Sequence, residues 1–531
     1  MKKNAILNAL QPTSVQTPIF GANQVKNNAG GFVYDIGKWK TLERFLILGT
    51  EGGTYYVKEG ELTLQNLNNL QECIKEDAVR VVNTTIEISD TGRAIRNNPA
   101  IFALTAVLKT SPNEEARKLA ATNFNRVIRT GTHRAQAASY INLLGGWGRA
   151  TKRALAATFS ENSKALAYSL IKYQSRDGWS TQDILRMCHP YPSSPAVNSL
   201  FHWATKGSLT GEAQDDPGIQ QVMAFEELKA CKEVKRAIEL ITQYRLPREC
   251  VPTHFLNERN IWAALMEDMP LGAILRNMNK MTEVGLISPL SETSKRISEM
   301  LKNGEHIKKA RLHPMQVLVA KNVYDSGHGI QGKLSWTPDQ QISSALEDAF
   351  YLGFDTIEPS GKNIYLAIDC SGSMGTPLPN LPGVSCLMGA AVTAMCIARS
   401  EKNWYTACFN ATMVPISMTG KEDLATVVKK FAKMSWGGTN CSRPYIDAQE
   451  KAMKVDAFIS ITDSETWAEG HPVSSLNSYR NSSGIKAKSI VVGMTATSFS
   501  INDPTDPFGL DIIGCDTSTP RLACDFATSR L

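Results

Sequence analysis

NIYLAIDCSGS, residues 363–373, is a short apolar run that leads into a loop rich in hydroxyl side chains. An apolar run of this length is typical of a strand that is buried on both faces of a parallel sheet. Strand and helix patterns alternate from this point towards the C-terminus. The sequence therefore predicts an α/β domain with a doubly wound parallel sheet over residues 361–531, and such sheets bind ligands beyond the carboxyl ends of their strands.

Apolar spacing predicts the other elements of this domain. Three further apolar runs predict strands: NWYTACF (403–409), DAFISIT (456–462) and KSIVVGM (488–494). Segments with helical spacing predict the helices LMGAAVTAMCIARS (387–400), DLATVVKKFAKM (423–434), YIDAQEKAMK (445–454) and SSLNSYRNS (474–482). The segment IEPSGKN (357–363) is interpreted as a linker, which divides the chain into domains 1–360 and 361–531.

Oxygen-bearing side chains collect where these predicted strands end. Three follow the first strand, one lies in the loop WGGTN (436–440) and one follows the strand 456–462; they are Asp369, Ser371, Ser373, Thr439 and Asp463. Because parallel strands end at the same edge of a sheet, we expect these side chains to converge. Hard oxygen ligands favour Mg²⁺, which takes octahedral coordination and keeps some of its waters. The sequence therefore predicts a magnesium site.

The same residue types have a simpler interpretation. A D-x-S-x-S segment also suits a serine-rich turn that caps a helix. The positions of Thr439 and Asp463 favour the metal site over the turn. Asp447 and Glu465 are interpreted as capping or surface residues rather than as metal ligands.

The N-terminal two thirds of the chain carries a helical pattern. Apolar residues recur at helical spacing from Leu42 to about Tyr351 without a strict sequence repeat. Helices without intervening strands favour a helical-repeat array, although a large globular helical domain has the same periodicity. Residues 1–40 show little periodicity and are predicted to form a largely irregular arm. The clearest helices are LTLQNLNNLQECIKEDAVRVVNTTIEIS (62–89), PAIFALTAVLKT (99–110), SKALAYSLIKYQ (163–174), VKRAIELITQY (234–244), NIWAALMEDM (260–269) and QISSALEDAFYLGF (341–354).

Length and composition set further limits. A chain of 531 residues is too long for one hydrophobic core, and its 20% charged residues are ordinary for a globular protein. The longest nearly apolar stretch, Leu387–Ala398, is too short to span a membrane, and no signal peptide is evident at the N-terminus. The 11 cysteines include no C-x-x-C pair. We therefore expect a cytoplasmic protein with reduced thiols and no membrane contact.

Charge is distributed unevenly along the chain. Residues 361–531 carry equal numbers of basic and acidic side chains, so the net charge of +6 lies in the helical part. Between Arg126 and Lys206 there are 11 Lys and Arg residues against three acidic ones. A concentration of positive charge of this kind indicates a polyanionic partner, most often a nucleic acid.

Two segments within this window attract attention: LGGWGRATKR (144–153) and IKYQSRDGWSTQDILRMCHP (171–190). Lys172 and Arg176 are four residues apart, so we expect them on one helix face, with the helix ending at Asp177 and Gly178. A second helix over 182–187, capped by Ser180 or Thr181, would bring His189 near the two cations. These groups suit phosphate and base contacts with RNA. From these residues alone, a solvated basic face with a structural histidine is the alternative.

Several segments resemble the Ro autoantigen family, whose members join a TROVE module to a C-terminal von Willebrand factor type A domain. The A domain of that family carries a metal-ion-dependent adhesion site, and all five of its motif positions are present here. The resemblance extends over nearly the whole chain in the same order. It rests on RFLILGTEGGTYYVKEGELT (44–63), GGWGRA (145–150), KYQSRDGWSTQDILR (172–186), HPYPSS (189–194), AILRNMNKMT (273–282), ARLHPMQVLVA (310–320), SGHGIQGKLSW (326–336) and GGTNCSRP (437–444).

The resemblance implies a ring of HEAT-like helical repeats that is closed by the A domain. It also implies binding of small Y RNAs on the outer surface, through the matching positions Lys172, Arg176 and His189. Single-stranded 3′ ends of misfolded RNA would enter the central hole. Bacterial members resemble adaptors that reach an exoribonuclease, polynucleotide phosphorylase, through Y RNA. Candidates for the hole are the basic residues Arg44, Arg149, Lys152 and Arg153, with Trp147 as either a stacking surface or a packing residue.

Three functions compete. The first is a non-catalytic RNA-binding scaffold in RNA quality control. The second is an interaction module whose metal recruits an acidic protein ligand. The third, a metal-dependent hydrolase, is disfavoured because no histidine stands near Asp369 or Asp463, the nearest being His471, and because two-metal nucleases cluster several carboxylates.

Overall fold

The structure is a computed structural model that describes residues 14–159, 162–329, 333–354, 357–379, 381, 383–434 and 437–530. Residues 1–13 of the predicted arm, residues 330–332 and Trp436 lie outside these ranges. Among the described residues, every helix is too short or too polar to cross a membrane. All 11 cysteines are free, and all except the partly exposed Cys231 are buried.

The chain from residue 38 to residue 352 is mainly helical. Its first nine helices are α1 (Lys38–Leu48), α2 (Glu59–Thr91), α3 (Asn98–Thr110), α4 (Glu114–Thr122), α5 (Phe124–Val127), α6 (Gly131–Leu143), α7 (Arg149–Ala157), α8 (Ser163–Lys172) and α9 (Thr181–Cys188). The other nine are α10 (Pro195–Lys206), α11 (Pro217–Ala230), α12 (Val234–Tyr244), α13 (Arg259–Met266), α14 (Leu271–Glu283), α15 (Glu292–Lys302), α16 (Gly304–Lys309), α17 (Pro314–Ser326) and α18 (Gln340–Leu352). Each helix predicted from apolar spacing is confirmed within a few residues.

These helices pack mainly against neighbours in the chain, as in a helical-repeat array. Each buries an apolar stripe in one continuous core; in α2, for example, Leu70, Val81 and Ile88 are fully buried. The last helices also return to the first. The side chain of Gln316 donates to the carbonyl of Ile95 at 2.7 Å. The run of helices therefore closes on itself, as a ring requires.

The C-terminal domain is a six-stranded sheet covered by helices on both faces. Its strands are β5 (Ile364–Asp369), β6 (Trp404–Phe409), β7 (Met413–Val414), β8 (Ala457–Thr462), β9 (Lys488–Gly493) and β11 (Gly509–Ile513). The order is β11-β9-β8-β5-β6-β7, and every pair is parallel except β6 and β7. The helices are α19 (Cys386–Ser400), α20 (Leu424–Ala432), α21 (Arg443–Glu450), α22 (Pro472–Ser483) and α23 (Thr519–Ala527). The predicted doubly wound fold is confirmed; β7, β11 and α23 were not predicted.

The described part of the N-terminal arm is largely irregular up to residue 37, as expected, but it includes two short strands. It contains β1 (Val25–Lys26) and β2 (Phe32–Asp35), which pair with each other. In addition, β2 pairs antiparallel with β10 (Phe499–Ser500) of the C-terminal domain. Val33 and Tyr34 are buried in that contact. Residues 14–36 thus pack on the C-terminal domain. The expected boundary at residue 360 marks the change from helices to the parallel sheet, but the N-terminal arm crosses it and contacts the C-terminal domain.

Candidate metal centre and basic surface

The metal-site residues begin at the carboxyl ends of two paired strands. Because β5 and β8 run parallel with Ile368 opposite Ile461, Asp369 and Thr462 are neighbours at the edge of the sheet. The Thr462 hydroxyl donates to Asp369 Oδ2 at 2.5 Å, and the Ser371 backbone N–H donates to Asp369 Oδ1 at 2.8 Å. The orientation of the Asp369 carboxylate is therefore fixed by the sheet register and by the first turn of the loop.

The other ligand candidates lie in loops joined to this one. The hydroxyl oxygens of Ser371 and Ser373 are 3.1 Å apart, and the Ser373 hydroxyl also hydrogen-bonds to Asp463. The loop of Thr439 is tied to the same place, because the Gly372 N–H donates to the Gly437 carbonyl at 2.9 Å. All five candidates are buried. The structure thus brings together the three loops that the sequence predicted to converge.

The electrostatics of this cluster fit a cation. Burial raises the pKa of Asp369, and burial followed by the charge of Asp369 raises the pKa of Asp463. Two carboxylates buried side by side repel each other, so a divalent cation between them would be stabilising. Among the described residues, no three His, Cys, Asp or Glu side chains are grouped to hold a metal. The available ligands are therefore two carboxylates and several hydroxyls, a hard-oxygen set that suits Mg²⁺ better than Zn²⁺.

Glu465 is not a surface residue, contrary to the sequence interpretation. It is 1% exposed, and its carboxylate accepts from the Asn28 amide at 2.7 Å and from the Ala29 N–H at 3.0 Å. The N-terminal arm therefore holds the loop that carries Asp463. The helical part also approaches this loop, because the charges of Asp463 and Glu465 add to burial in raising the pKa of Tyr56.

Asp447 is also buried rather than on the surface. Its carboxylate accepts from the Tyr365 hydroxyl at 2.8 Å and pairs with Lys451. These contacts make it a structural residue of α21. His471, the histidine nearest to the metal loops in sequence, has its Nε2 atom 2.6 Å from the Thr17 carbonyl of the arm.

The basic surface differs locally from the expectation. Helix α8 ends at Lys172, and Arg176 lies in a small hairpin formed by β3 (Ser175–Arg176) and β4 (Trp179–Ser180). Asp177 and Gly178 form the turn with φ values of 50° and 77°, as expected for an Asp-Gly hairpin turn. The two cations are therefore not on one helix face. They still lie close together, because the Lys172 Nζ and the Arg176 Cζ are 5.5 and 5.8 Å from the centroid of the Tyr173 ring.

His189 lies at the end of the helix that follows the hairpin. Ser180 caps α9 as predicted, its hydroxyl accepting from the Asp183 N–H at 3.0 Å, and His189 follows the other end of the helix. Eight residues of helix separate its ends by about 12 Å. His189 is exposed, and the adjacent Tyr191 is 93% exposed.

Arg276 of α14 was missed by the sequence analysis. Burial lowers the pKa of Lys172, Glu249 offsets part of this effect, and the charges of Arg276 and Arg176 lower it further. Arg276 therefore extends the basic surface around Lys172. It lies about 100 residues away in the chain, so spacing gave no signal for it.

Three of the four central-hole candidates lie on α7. Arg149 and Arg153 are exposed and Lys152 is partly buried. Trp147 is packed against Trp179, with ring centroids 5.6 Å apart, which supports its interpretation as a packing residue. Arg153 lines a cleft of about 570 Å³ against α4.

Arg44, the fourth candidate, does not fit an RNA contact. It is 1% exposed, and its Nη1 donates to the carbonyls of Thr497 and Phe499 at 3.0 Å each. Asp511 lies 4.0 Å from its Nη2. The expectation for Arg44 was wrong because the buried face of α1 packs it against the C-terminal domain, where it joins the two domains.

Comparisons with known proteins agree with this architecture. Residues 25–326 match the TROVE domain, and residues 363–527 match the Ro60 vWA domain. The chain is 35% identical to the RNA-binding protein RO60 of Deinococcus radiodurans, over 98% of this chain and 99% of that protein. It is 30% identical to the RNA-binding protein RO60 of Caenorhabditis elegans, over 96% and 90% of the two chains. The crystal structure of the D. radiodurans RO (RSR) protein superimposes with a TM-score of 0.69 and 34% identity, covering 93% of this chain and all of that one.

The helical module and the doubly wound domain with its convergent oxygen-bearing side chains define a class of two-domain proteins in which TROVE is joined to a von Willebrand factor A domain. The chain belongs to the Ro60 family. The resemblance drawn from its sequence segments is thereby confirmed.

Proposed function

We propose that this chain is a non-catalytic, cytoplasmic RNA-binding protein that acts as a scaffold in RNA quality control. The observation that carries the proposal is its whole-length match to two proteins named as RNA-binding. The concentration of positive charge between Arg126 and Lys206 supports it independently.

Structured Y-like RNA would bind around Lys172, Arg176 and His189. The two cations lie near the Tyr173 ring, and His189 with the exposed Tyr191 follows the C-terminal end of α9. This arrangement offers phosphate contacts at one end of α9 and base stacking or base-edge contacts at the other. The hairpin turn fixes the backbone that carries Arg176, so binding RNA would cost less conformational entropy at this position.

Single-stranded 3′ ends of misfolded RNA would bind elsewhere on the helical module. Arg149, Lys152 and Arg153 are the candidates that the structure leaves, because Arg44 is enclosed between the domains. An exoribonuclease such as polynucleotide phosphorylase would be recruited through the bound Y RNA. Its co-purification with this chain should then be abolished by ribonuclease treatment.

A salt series tests the proposal. Fluorescence anisotropy on a Y-like hairpin and on a duplex with a single-stranded 3′ tail should show binding that weakens with salt. For the tail, the expected slope of log affinity against log salt is about −0.7 for each phosphate contacted. A slope near zero for both RNAs would contradict the proposal.

The A domain supports a second, compatible function. We propose that Asp369, Ser371, Ser373, Thr439 and Asp463 hold Mg²⁺. The bound cation would supply an electrophilic site for a carboxylate of an acidic protein ligand. Hydrogen bonds of Thr462 and Glu465 hold the loops in place, and the carboxylates of Asp369 and Asp463 would neutralise part of the charge of the cation. Partners captured by the wild type should no longer be captured with EDTA or with Asp369→Ala; partners indifferent to both changes would exclude this function.

Hydrolysis of RNA is not part of the proposal. His471 is engaged with the Thr17 carbonyl, and the carboxylates at the site are fewer than in two-metal nucleases. Cleaved RNA that accumulates with Mg²⁺ and disappears with Asp369→Ala would overturn this view.

A further inference from the structure

A cleft of about 290 Å³ lies where the first and last helices of the helical module meet. The end of α2 and the start of α3 form one side, and α6 and the segment before α17 form the other. Among the side chains that line it are Arg96, Asn98, Arg129, Thr132, Gln136 and Arg311. We call this the arginine cleft.

Three guanidinium groups at this cleft share one carboxylate. The Arg126 Nε donates to Asp90 Oδ2 at 2.9 Å, and Arg129 Nη1 and Arg311 Nη2 lie 3.9 and 3.7 Å from Asp90 Oδ1. Arg129 also donates to the Ser89 hydroxyl at 3.0 Å, and Arg311 Nε donates to the Asp90 carbonyl at 3.0 Å. The two arginines that face the cleft are thus held in place, but a single negative charge does not neutralise the three.

The pKa shifts of the residues at the cleft also indicate an excess of positive charge. Burial and, after it, the charge of Arg311 lower the pKa of Arg129 to about 10, although Asp90 offsets part of the effect. The adjacent His133 adds no charge at neutral pH, because burial lowers its pKa to about 4. An anion in the cleft would relieve the repulsion between Arg129 and Arg311.

A phosphate group matches this site. Arginine guanidinium groups bind phosphate oxygens with paired hydrogen bonds, and Asn98 and Thr132 add neutral polar groups to the lining of the cleft. Arg129 precedes α6 and Arg311 precedes α17, so a phosphate between them would connect the first helices to the last. Binding would therefore also stabilise the closure of the helical module.

We infer that the arginine cleft binds a phosphate group of single-stranded RNA, with Arg129 and Arg311 as its direct ligands and the Asp90 carboxylate as the competing anion. This inference rests on the proposed RNA binding and names a site for it outside α7. The same phosphate chemistry is available from inorganic phosphate, so the test separates the two sources.

The test is fluorescence anisotropy with an unstructured oligouridine, measured for the wild type, Arg129→Gln/Arg311→Gln and Asp90→Asn. The control, Lys229→Gln/Arg236→Gln, removes two exposed, ion-paired cations from α11 and α12. The cleft variant should bind about tenfold or more weakly, with a salt slope smaller by about 0.7 for each phosphate that it no longer binds. The control should change less than twofold. Asp90→Asn should bind more tightly, because it removes the one negative charge that competes with the phosphate.

Equal binding by the cleft variant and the control would overturn the inference. Weaker binding by Asp90→Asn would also do so, since it would indicate a structural role for the cluster. If the wild type binds no oligouridine, the proposed binding of single-stranded RNA fails, and a thermal unfolding measurement with inorganic phosphate tests whether the cleft is a phosphate site. If phosphate raises the melting temperature of the wild type above its value in chloride at equal ionic strength, and does not do so for Arg129→Gln/Arg311→Gln, the cleft is a phosphate site. Equal melting temperatures of the wild type in phosphate and in chloride would exclude such a site.

Discussion

Charged side chains occur in two contrasting settings in this molecule. At the contact of the two domains, Asp369, Asp463 and Arg44 are at most 3% exposed and are held by hydrogen bonds to the backbone or to neighbouring side chains. On the basic surface, Lys172 and Arg176 are partly exposed and rest against one tyrosine ring. The buried groups are fixed by the fold, whereas the exposed groups are positioned by a local turn.

This difference predicts which measurements respond to substitution. Changing a buried group should alter the free energy of unfolding together with any binding at that place, because the group is part of the packing. Changing an exposed cation should alter binding with little effect on stability.

The largest effect is expected at Arg44. Arg44→Ala leaves the carbonyls of Thr497 and Phe499 without their donor and Asp511 without its cation. The free energy of unfolding should fall by about 3–5 kcal/mol, as measured by guanidinium titration. Arg149→Ala, an exposed control, should change it by less than about 0.5 kcal/mol. Equal changes in the free energy of unfolding for the two variants would contradict the claim that the buried cation contributes more to stability than the exposed one.

Asp369→Asn should lower the affinity for Mg²⁺ or Mn²⁺ by more than about a hundredfold. This loss exceeds the one expected for substitution of a residue that only hydrogen-bonds to a metal ligand. Without metal the variant should be at least as stable as the wild type, because it removes the repulsion between two buried carboxylates. Titration calorimetry and thermal unfolding with and without EDTA check both results. A variant that retains the metal response would show that the cluster is only a packed turn.

His313 should make stability depend on pH. It is 1% exposed, and burial lowers its pKa to about 4 from 6.5. The unfolded chain therefore takes up the proton first, so stability is lost as the pH falls from about 6.5 to 4, by about 2 kcal/mol at pH 5. His313→Asn removes the titration and offers an amide oxygen in place of the Nδ1 that accepts from the Met315 N–H at the start of α17. The difference between the two free energies of unfolding should become constant above pH 7 and change as the pH falls below it; a difference independent of pH over the whole range would contradict the assignment.

The smallest effect is expected at Asn28, which holds Glu465 from the arm. Asn28→Ala should weaken metal binding by no more than about tenfold, since it acts through the loop of Asp463 and not on the metal. Asn23→Ala, which changes an exposed residue of the same arm, is the matched control. Identical titrations for the two variants would mean that the arm does not position the metal loop.

The sequence predicted the buried site better than the exposed one. Asp369 and Asp463 follow fully buried strands whose parallel pairing leaves one possible edge for them, so their convergence could be inferred. The pairing of β2 with β10 could not, because a four-residue strand at one end of the chain carries no sign of its partner about 460 residues away.

The basic surface was predicted in composition but not in geometry. The spacing of Lys172 and Arg176 is equally compatible with a helix and with a helix end followed by a hairpin. The Asp177-Gly178 turn favours the hairpin, which is the structure that forms. Arg44 was misassigned for a related reason. A cation in the sequence carries no information on whether a second domain will cover it.

The central claim is that the helical module binds structured RNA through Lys172, Arg176 and His189. The most direct measurement is the affinity of Lys172→Ala/Arg176→Ala/His189→Ser for a Y-like hairpin and for a 3′-tailed duplex, beside the control Lys229→Ala/Arg236→Ala. The account predicts that the triple variant binds the hairpin about tenfold or more weakly, keeps the tail and melts at the wild-type temperature. A triple variant that binds the hairpin as tightly as the control does would contradict it.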